Sequence, residues 1–129
     1  MSQDVRKVLV VEDCAEIRRG LELLLQTLGF FVTVASTVAE GIARLDGHAI
    51  ALLDLQLPDG NGNEIVREIR RRGTPMRIAI MTAGAAPALL EELQRSPPDR
   101  FFKKPLNVSA LIDWLREEDE PRRADAIPA

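Results

Sequence analysis

Residues 52–62, LLDLQLPDGNG, interrupt an apolar run with a carboxylate and then turn. The run begins at Ile50, so Asp54 stands at the end of a buried strand, and Pro58-Asp59-Gly60-Asn61-Gly62 is a dense turn signal directly behind it. A lone charge in that place costs several kcal/mol or takes up a proton unless something pairs with it. The rest of the chain has to supply the partner.

Reading outward from this stretch, two periodicities alternate. Upstream, Val8-Leu9-Val10-Val11 is a short apolar run that stops at Glu12-Asp13. Ile17, Leu21, Leu24, Leu25 and Leu28 then form one stripe of a helix, closed by Gly29. Phe30–Ala35 predicts a second strand, and Ser36 or Thr37 caps a helix carrying Val38, Ile42 and Leu45, with Glu40 as capping-box partner of Thr37. The third strand is Ala49–Asp54. Downstream, Asn61 or Gly62 starts a helix with Ile65, Val66 and Ile69 inward, ending near Gly73. Met76–Met81 is a fourth strand, a helix with Leu89, Leu90 and Leu93 runs to Pro97-Pro98, and Arg100–Lys103 is a fifth strand. A last helix carries Val108, Leu111, Ile112 and Leu115 behind the cap Asn107. Apolar strands alternating with amphipathic helices predict an α/β fold whose parallel sheet is covered on both faces. Residues 1–117 are read as one domain and 118–129 as a flexible C-terminal tail.

Composition limits the function classes. The chain has 129 residues, 46% of them hydrophobic and 29% charged, with a formal net charge of −3. That gives no electrostatic case for nucleic acid or an anionic membrane as the main partner. No apolar stretch approaches the roughly 18 residues of a membrane span, and MSQDVRK at the N-terminus has no hydrophobic signal region. One cysteine, Cys14, forms no internal disulfide and fits a reducing cytoplasm. It is read as a semi-buried thiol, and the one histidine, His48, as a surface loop residue.

In a parallel sheet every strand points the same way, so functional side chains gather beyond the carboxyl ends. There the strands offer Glu12-Asp13, then Asp54, then Thr82, then Lys103-Lys104-Pro105. Three carboxylates so close cannot all stay ionised without a counter-charge. A hard divalent cation resolves this, and Mg²⁺ suits because it uses few carboxylates and accepts phosphate oxygens. A carboxylate nucleophile with Mg²⁺, a lysine and a hydroxyl is the equipment of phosphoryl transfer to aspartate.

These residues, Glu12-Asp13, Asp54 with Pro58 and Gly62 behind it, Thr82-Ala83 and Lys104-Pro105, resemble the receiver (CheY-like) domain of two-component response regulators over roughly residues 6–117. The resemblance implies a single (βα)5, doubly wound, flavodoxin-like sheet of strand order 2-1-3-4-5. It implies that Asp54 is the phosphoacceptor and that Mg²⁺ is held by Asp13, by Glu12 through water, by Asp54 and by the main-chain carbonyl of Gln56. Lys104 neutralises a phosphoryl oxygen, Thr82 moves to bond another, and Phe101 is the aromatic that reports the switch. Lys104-Pro105 is expected to be cis. The phosphodonor would be a sensor histidine kinase or a histidine phosphotransfer protein. The readout would be an output protein or self-association through the face of helix 4, strand 5 and helix 5, with no output domain in the chain itself. A phosphorylation-independent binding module is an alternative. An aspartate-nucleophile phosphohydrolase is a weaker one, because Gln56 stands where that chemistry needs a second acid. Ser96-Pro97-Pro98-Asp99 departs from the pattern before strand five, and Gln56 and Gly84 are placed to tune the lifetime of phospho-Asp54.

Overall fold

A computed structural model of the chain describes residues 6–84 and 87–117; the expected tail, 118–129, lies outside the described residues. The elements run β1 (Lys7–Val11), α1 (Ala15–Thr27), β2 (Phe31–Ala35), α2 (Val38–Ala43), β3 (Ile50–Asp54), β4 (Gln56–Leu57), β5 (Gly60–Asn61), α3 (Gly62–Arg72), β6 (Arg77–Thr82), α4 (Pro87–Arg95), β7 (Arg100–Lys103) and α5 (Val108–Arg116). Five strands make one parallel sheet in the order β2-β1-β3-β6-β7. With the two-residue strands β4 and β5 set aside, that is the expected 2-1-3-4-5.

The central strands are apolar between their ends because both of their faces are covered. Leu9, Val11, Ala51, Leu53, Ile78 and Ile80 pack with Val38, Ile65, Val66, Ile69 and Leu93 from α2, α3 and α4. Val8, Val10, Ile50, Leu52, Ala79 and Met81 pack on the other side with Leu21, Leu25, Leu111, Trp114 and Leu115 from α1 and α5. The period-two alternation of strand side chains sorts neighbours in sequence into these two cores. Among the described residues, no helix is long and apolar enough to cross a membrane.

Several local expectations change. The stripe on α1 is narrower than its pattern, since Leu21 and Leu25 are buried while Ile17 is 37% exposed. Cys14 stands at the N-cap position of α1 without a side-chain cap bond; its N–H donates to the Glu12 carboxylate at 3.1 Å, and its thiol is exposed, not semi-buried. Glu40 takes the N–H and hydroxyl of Ser36, at 2.8 and 3.1 Å, rather than the N–H of Thr37. His48 is buried, not on the surface: its Nδ1 lies 3.1 Å from the Leu45 carbonyl oxygen, which places a proton on that nitrogen. Its loop leads into the amino end of β3, far along the strand from Asp54. The caps at Asn107 and the left-handed Gly73, with φ of 69°, stand where the pattern puts them. The Lys104-Pro105 peptide is cis.

Candidate acidic site at the carboxyl end of the sheet

Strands β1 and β3 are neighbours in register, with Val11 opposite Leu53. The residues that follow, Glu12 and Asp54, therefore arrive side by side. Glu12 is fully buried and Asp54 is 5% exposed, while Asp13 is exposed at the rim. Strand β7 ends one step before Lys104, whose N–H donates to the Thr82 carbonyl at 2.8 Å, continuing the β6–β7 ladder. From there the Lys104 ammonium donates to Glu12 at 2.9 Å and to Asp54 at 3.2 Å. This is the partner that the buried carboxylate at Asp54 requires.

One ammonium does not balance the acids around it. Burial, then the Glu12 carboxylate beside it, push the Asp54 carboxyl up to about 6, against the opposing pull of Lys104. Burial also works to raise Glu12, but hydrogen bonds from Lys104 and from the Cys14 N–H outweigh it and hold that carboxyl below its usual range. Burial works to lower Lys104, yet its two acid partners keep its pKa above the usual lysine value. Glu12 is thus the ionised partner of Lys104, and Asp54 holds the surplus negative charge.

That surplus fits a cation. Glu12, Asp13 and Asp54 each bring a carboxylate oxygen to a common place, all within 4.8 Å of one another. An all-oxygen donor set with one exposed member suits a hard ion that keeps part of its water, as Mg²⁺ does.

The loop behind Asp54 is closed tightly. The Gln56 N–H points at Asp54 Oδ1 at 3.4 Å, Gln56 and Leu57 pair with Asn61 and Gly60, and the Gly62 N–H donates to the Leu55 carbonyl at 2.8 Å. Gly62 is required by this closure, because a Cβ there would lie 2.6 Å from the Asp54 carbonyl oxygen. Glu64 accepts the Asn61 N–H at 3.2 Å and opens α3.

Not every predicted site residue joins the cluster. Thr82 is half-buried at the end of β6, and its hydroxyl accepts the Gly84 N–H at 3.0 Å. Phe101 is 44% exposed on β7, whereas Phe102 is 4% exposed and meets Trp114 edge to face. Sequence reasoning missed Asp59, which reaches back to the N-terminus of α2. The turn signal around it hid any other role.

The chain matches the family model of the response regulator receiver domain over residues 8–116. It is 30% identical over 117 residues to the photosynthetic apparatus regulatory protein RegA of Cereibacter sphaeroides, a match covering 89% of this chain and 64% of that protein. It is 36% identical over 124 residues to the acid tolerance regulatory protein ActR of Rhizobium meliloti, covering 90% and 63%. The chain therefore spans less than two thirds of the length of these relatives. Among solved structures it is similar to a CheY-like receiver domain protein of Methanospirillum hungatei, at 25% identity and a TM-score of 0.81, over 90% of this chain and 94% of that one. It is also similar to the chemotaxis protein CheY4 of Vibrio cholerae, at 25% identity and a TM-score of 0.78, covering 88% and 98%.

Proposed function

The chain belongs to the response regulator receiver domain family, and from that premise we propose that it is a phosphorylation-controlled signalling switch with Asp54 as phosphoacceptor. The observation that carries this reading is Asp54 itself, a buried carboxylate with surplus negative charge and an ammonium 3.2 Å away. A sensor histidine kinase or a histidine phosphotransfer protein, met in the cytoplasm, presents phosphohistidine. An Asp54 oxygen attacks phosphorus, the N–P bond breaks, and the histidine leaves with its electron pair. Asp13, Asp54, the Gln56 carbonyl and, through water, Glu12 would hold Mg²⁺, which would supply positive charge to the phosphoryl oxygens. Lys104, already placed between Glu12 and Asp54, pairs with one phosphoryl oxygen.

The acyl phosphate adds nearly two negative charges. For Thr82 to meet one of its oxygens, the hydroxyl that now accepts the Gly84 N–H turns its own proton toward Asp54. That reorientation biases a two-state equilibrium in the loop between β6 and α4. The face of α4, β7 and α5 then carries the change to an output partner or to a second copy. In support, Leu90 of α4 and Phe101 of β7 are 40% and 44% exposed.

Acetyl phosphate with Mg²⁺ should add one phosphate by intact mass, and Asp54→Ala should remove that addition completely. Modification that persists in the variant overturns the assignment. Multiple-turnover hydrolysis of phosphomonoesters would instead favour a phosphohydrolase, for which the exposed Gln56 offers no acid.

A further inference from the structure

The N-terminus of α2 is capped from two directions. Thr37 Oγ1 accepts the Glu40 N–H at 3.0 Å, a local cap. Asp59, from the loop behind Asp54, accepts the Val38 N–H on Oδ1 at 2.7 Å and the Ala39 N–H on Oδ2 at 3.1 Å. The opening N–H groups of the helix are thereby satisfied, two of them by a side chain 21 residues from Val38.

A cap alone would account for a carboxylate there, but its surroundings give it a second consequence. Helix α2 is seated hard on its neighbours, since a Cβ at Gly41 would lie 3.0 Å from both Val11 and Ile65. Val11 is the residue before Glu12, so α2 is held in register with the strand end that carries Glu12 and Asp13. The loop bearing Asp59 is held on its other side to Asp54, by the Gln56 N–H and by Gly62. Lys104 ties the carboxylates themselves; Asp59 ties the loop behind Asp54 to the helix packed on the end of β1.

We infer that Asp59 is a positioning residue for the phosphoacceptor site: by gripping two N–H groups of α2, it fixes the loop after Asp54 against the acids of β1 and so sets the affinity of the cluster for a divalent cation. This rests on the reading of Asp54 given above. It asks nothing of Asp59 as a ligand, only that the loop it anchors hold Gln56 in place.

The test compares Asp59→Ala and Asp59→Asn with Thr37→Ala, which removes the local cap of the same helix and leaves the loop contact. Two readouts are used: binding of Mg²⁺ alone by calorimetry, and amide hydrogen exchange across residues 55–62 without metal. Asp59→Ala should weaken Mg²⁺ binding about tenfold, the scale seen when a residue supporting metal ligands is removed, and should speed exchange through the loop. Asp59→Asn keeps one acceptor oxygen and should recover part of both. Thr37→Ala should lower the melting temperature yet bind Mg²⁺ as the parent does. Mg²⁺ binding by Asp59→Ala within about twofold of the parent overturns the inference, as does equal weakening by Thr37→Ala. Should Asp59→Ala fail to fold, an Asp59→Asn variant with parental Mg²⁺ affinity and parental loop exchange overturns it as well. Acetyl phosphate labelling of the parent protein, run beside these, separates the two readings. A labelled parent with unchanged variants sinks only the role of Asp59, and an unlabelled parent sinks the phosphoacceptor reading on which that role rests.

Discussion

The two ends of the parallel sheet treat charge in opposite ways. At the amino end, guanidinium groups lie over aromatic rings and on helix carbonyls, and Arg77 also pairs with Glu117 at 3.3 Å. Arg77 stacks over the Trp114 ring at 4.1 Å and donates to the Trp114 carbonyl at 2.8 Å. Arg6 lies over Phe30 at 5.3 Å and donates to the Leu115 carbonyl at 3.0 Å. These cations meet the carbonyl end of α5, where the helix dipole favours them. At the carboxyl end, the buried Glu12 and Asp54 share the half-buried Lys104 ammonium with Asp13 at the rim beside them, and Asp54 keeps its proton up to about 6. Charge that is matched locally holds the fold together; charge left in surplus prepares a site for a ligand.

The contrast should break most sharply at Lys104. A Lys104→Met change leaves Glu12 and Asp54 without a cation and should cost about 4 kcal/mol at pH 8, as breaking buried pairs does. The loss should shrink as pH falls through 6 and Asp54 takes up its proton, which urea unfolding at both pH values would check. Next is Asp54→Asn in metal-free protein. The folded pKa of Asp54 is raised from the usual 3.8 to about 6, so its ionisation opposes folding. The penalty is fully present above about 6 and vanishes below 3.8. At about 1.4 kcal/mol per pH unit, the Asn variant should gain up to about 3 kcal/mol at pH 8 and nothing near pH 3. Thermal unfolding across that range would test the sign.

A smaller effect belongs to Gly62→Ala. Its new Cβ presses on the Asp54 carbonyl and should cost about 2 kcal/mol in urea unfolding while weakening phosphate uptake. Smallest is Arg77→Met at the opposite end. Losing the stack, the carbonyl contact and the exposed pair with Glu117 should cost about 1 kcal/mol and leave Mg²⁺ affinity untouched. A change in that affinity would mean the two ends are not independent.

The distinction between the ends was only half visible in the chain. Asp54, Glu12 and Lys104 are legible because each stands at or just past the end of a strand, and a parallel sheet brings such ends together whatever the loops do. The strand order came from resemblance, since nothing in five similar β-α units states which lie adjacent. What stayed hidden depends on partners far along the chain. Asp59 looks like a turn residue until α2 is placed beside it. The two-residue pairing of Gln56 and Leu57 with Asn61 and Gly60 is too short to show an alternation. His48 was misjudged because a short polar loop has no period, and its burial follows from how that loop folds under β3. Glu12 turns inward to Lys104 and takes the N–H of Cys14, the N-cap residue of α1, a pairing that no local pattern announces.

The near-contact between Gly62 and the Asp54 carbonyl has a practical side for protein engineering. Asp54 and the first residue of α3 share one packing surface, with the Leu55 carbonyl bonded across it to the Gly62 N–H. An aspartate grafted onto the end of another sheet would lack that backing. The transplantable unit is the whole cassette from Asp54 through Glu64, together with a receiving helix whose first N–H groups can meet Asp59.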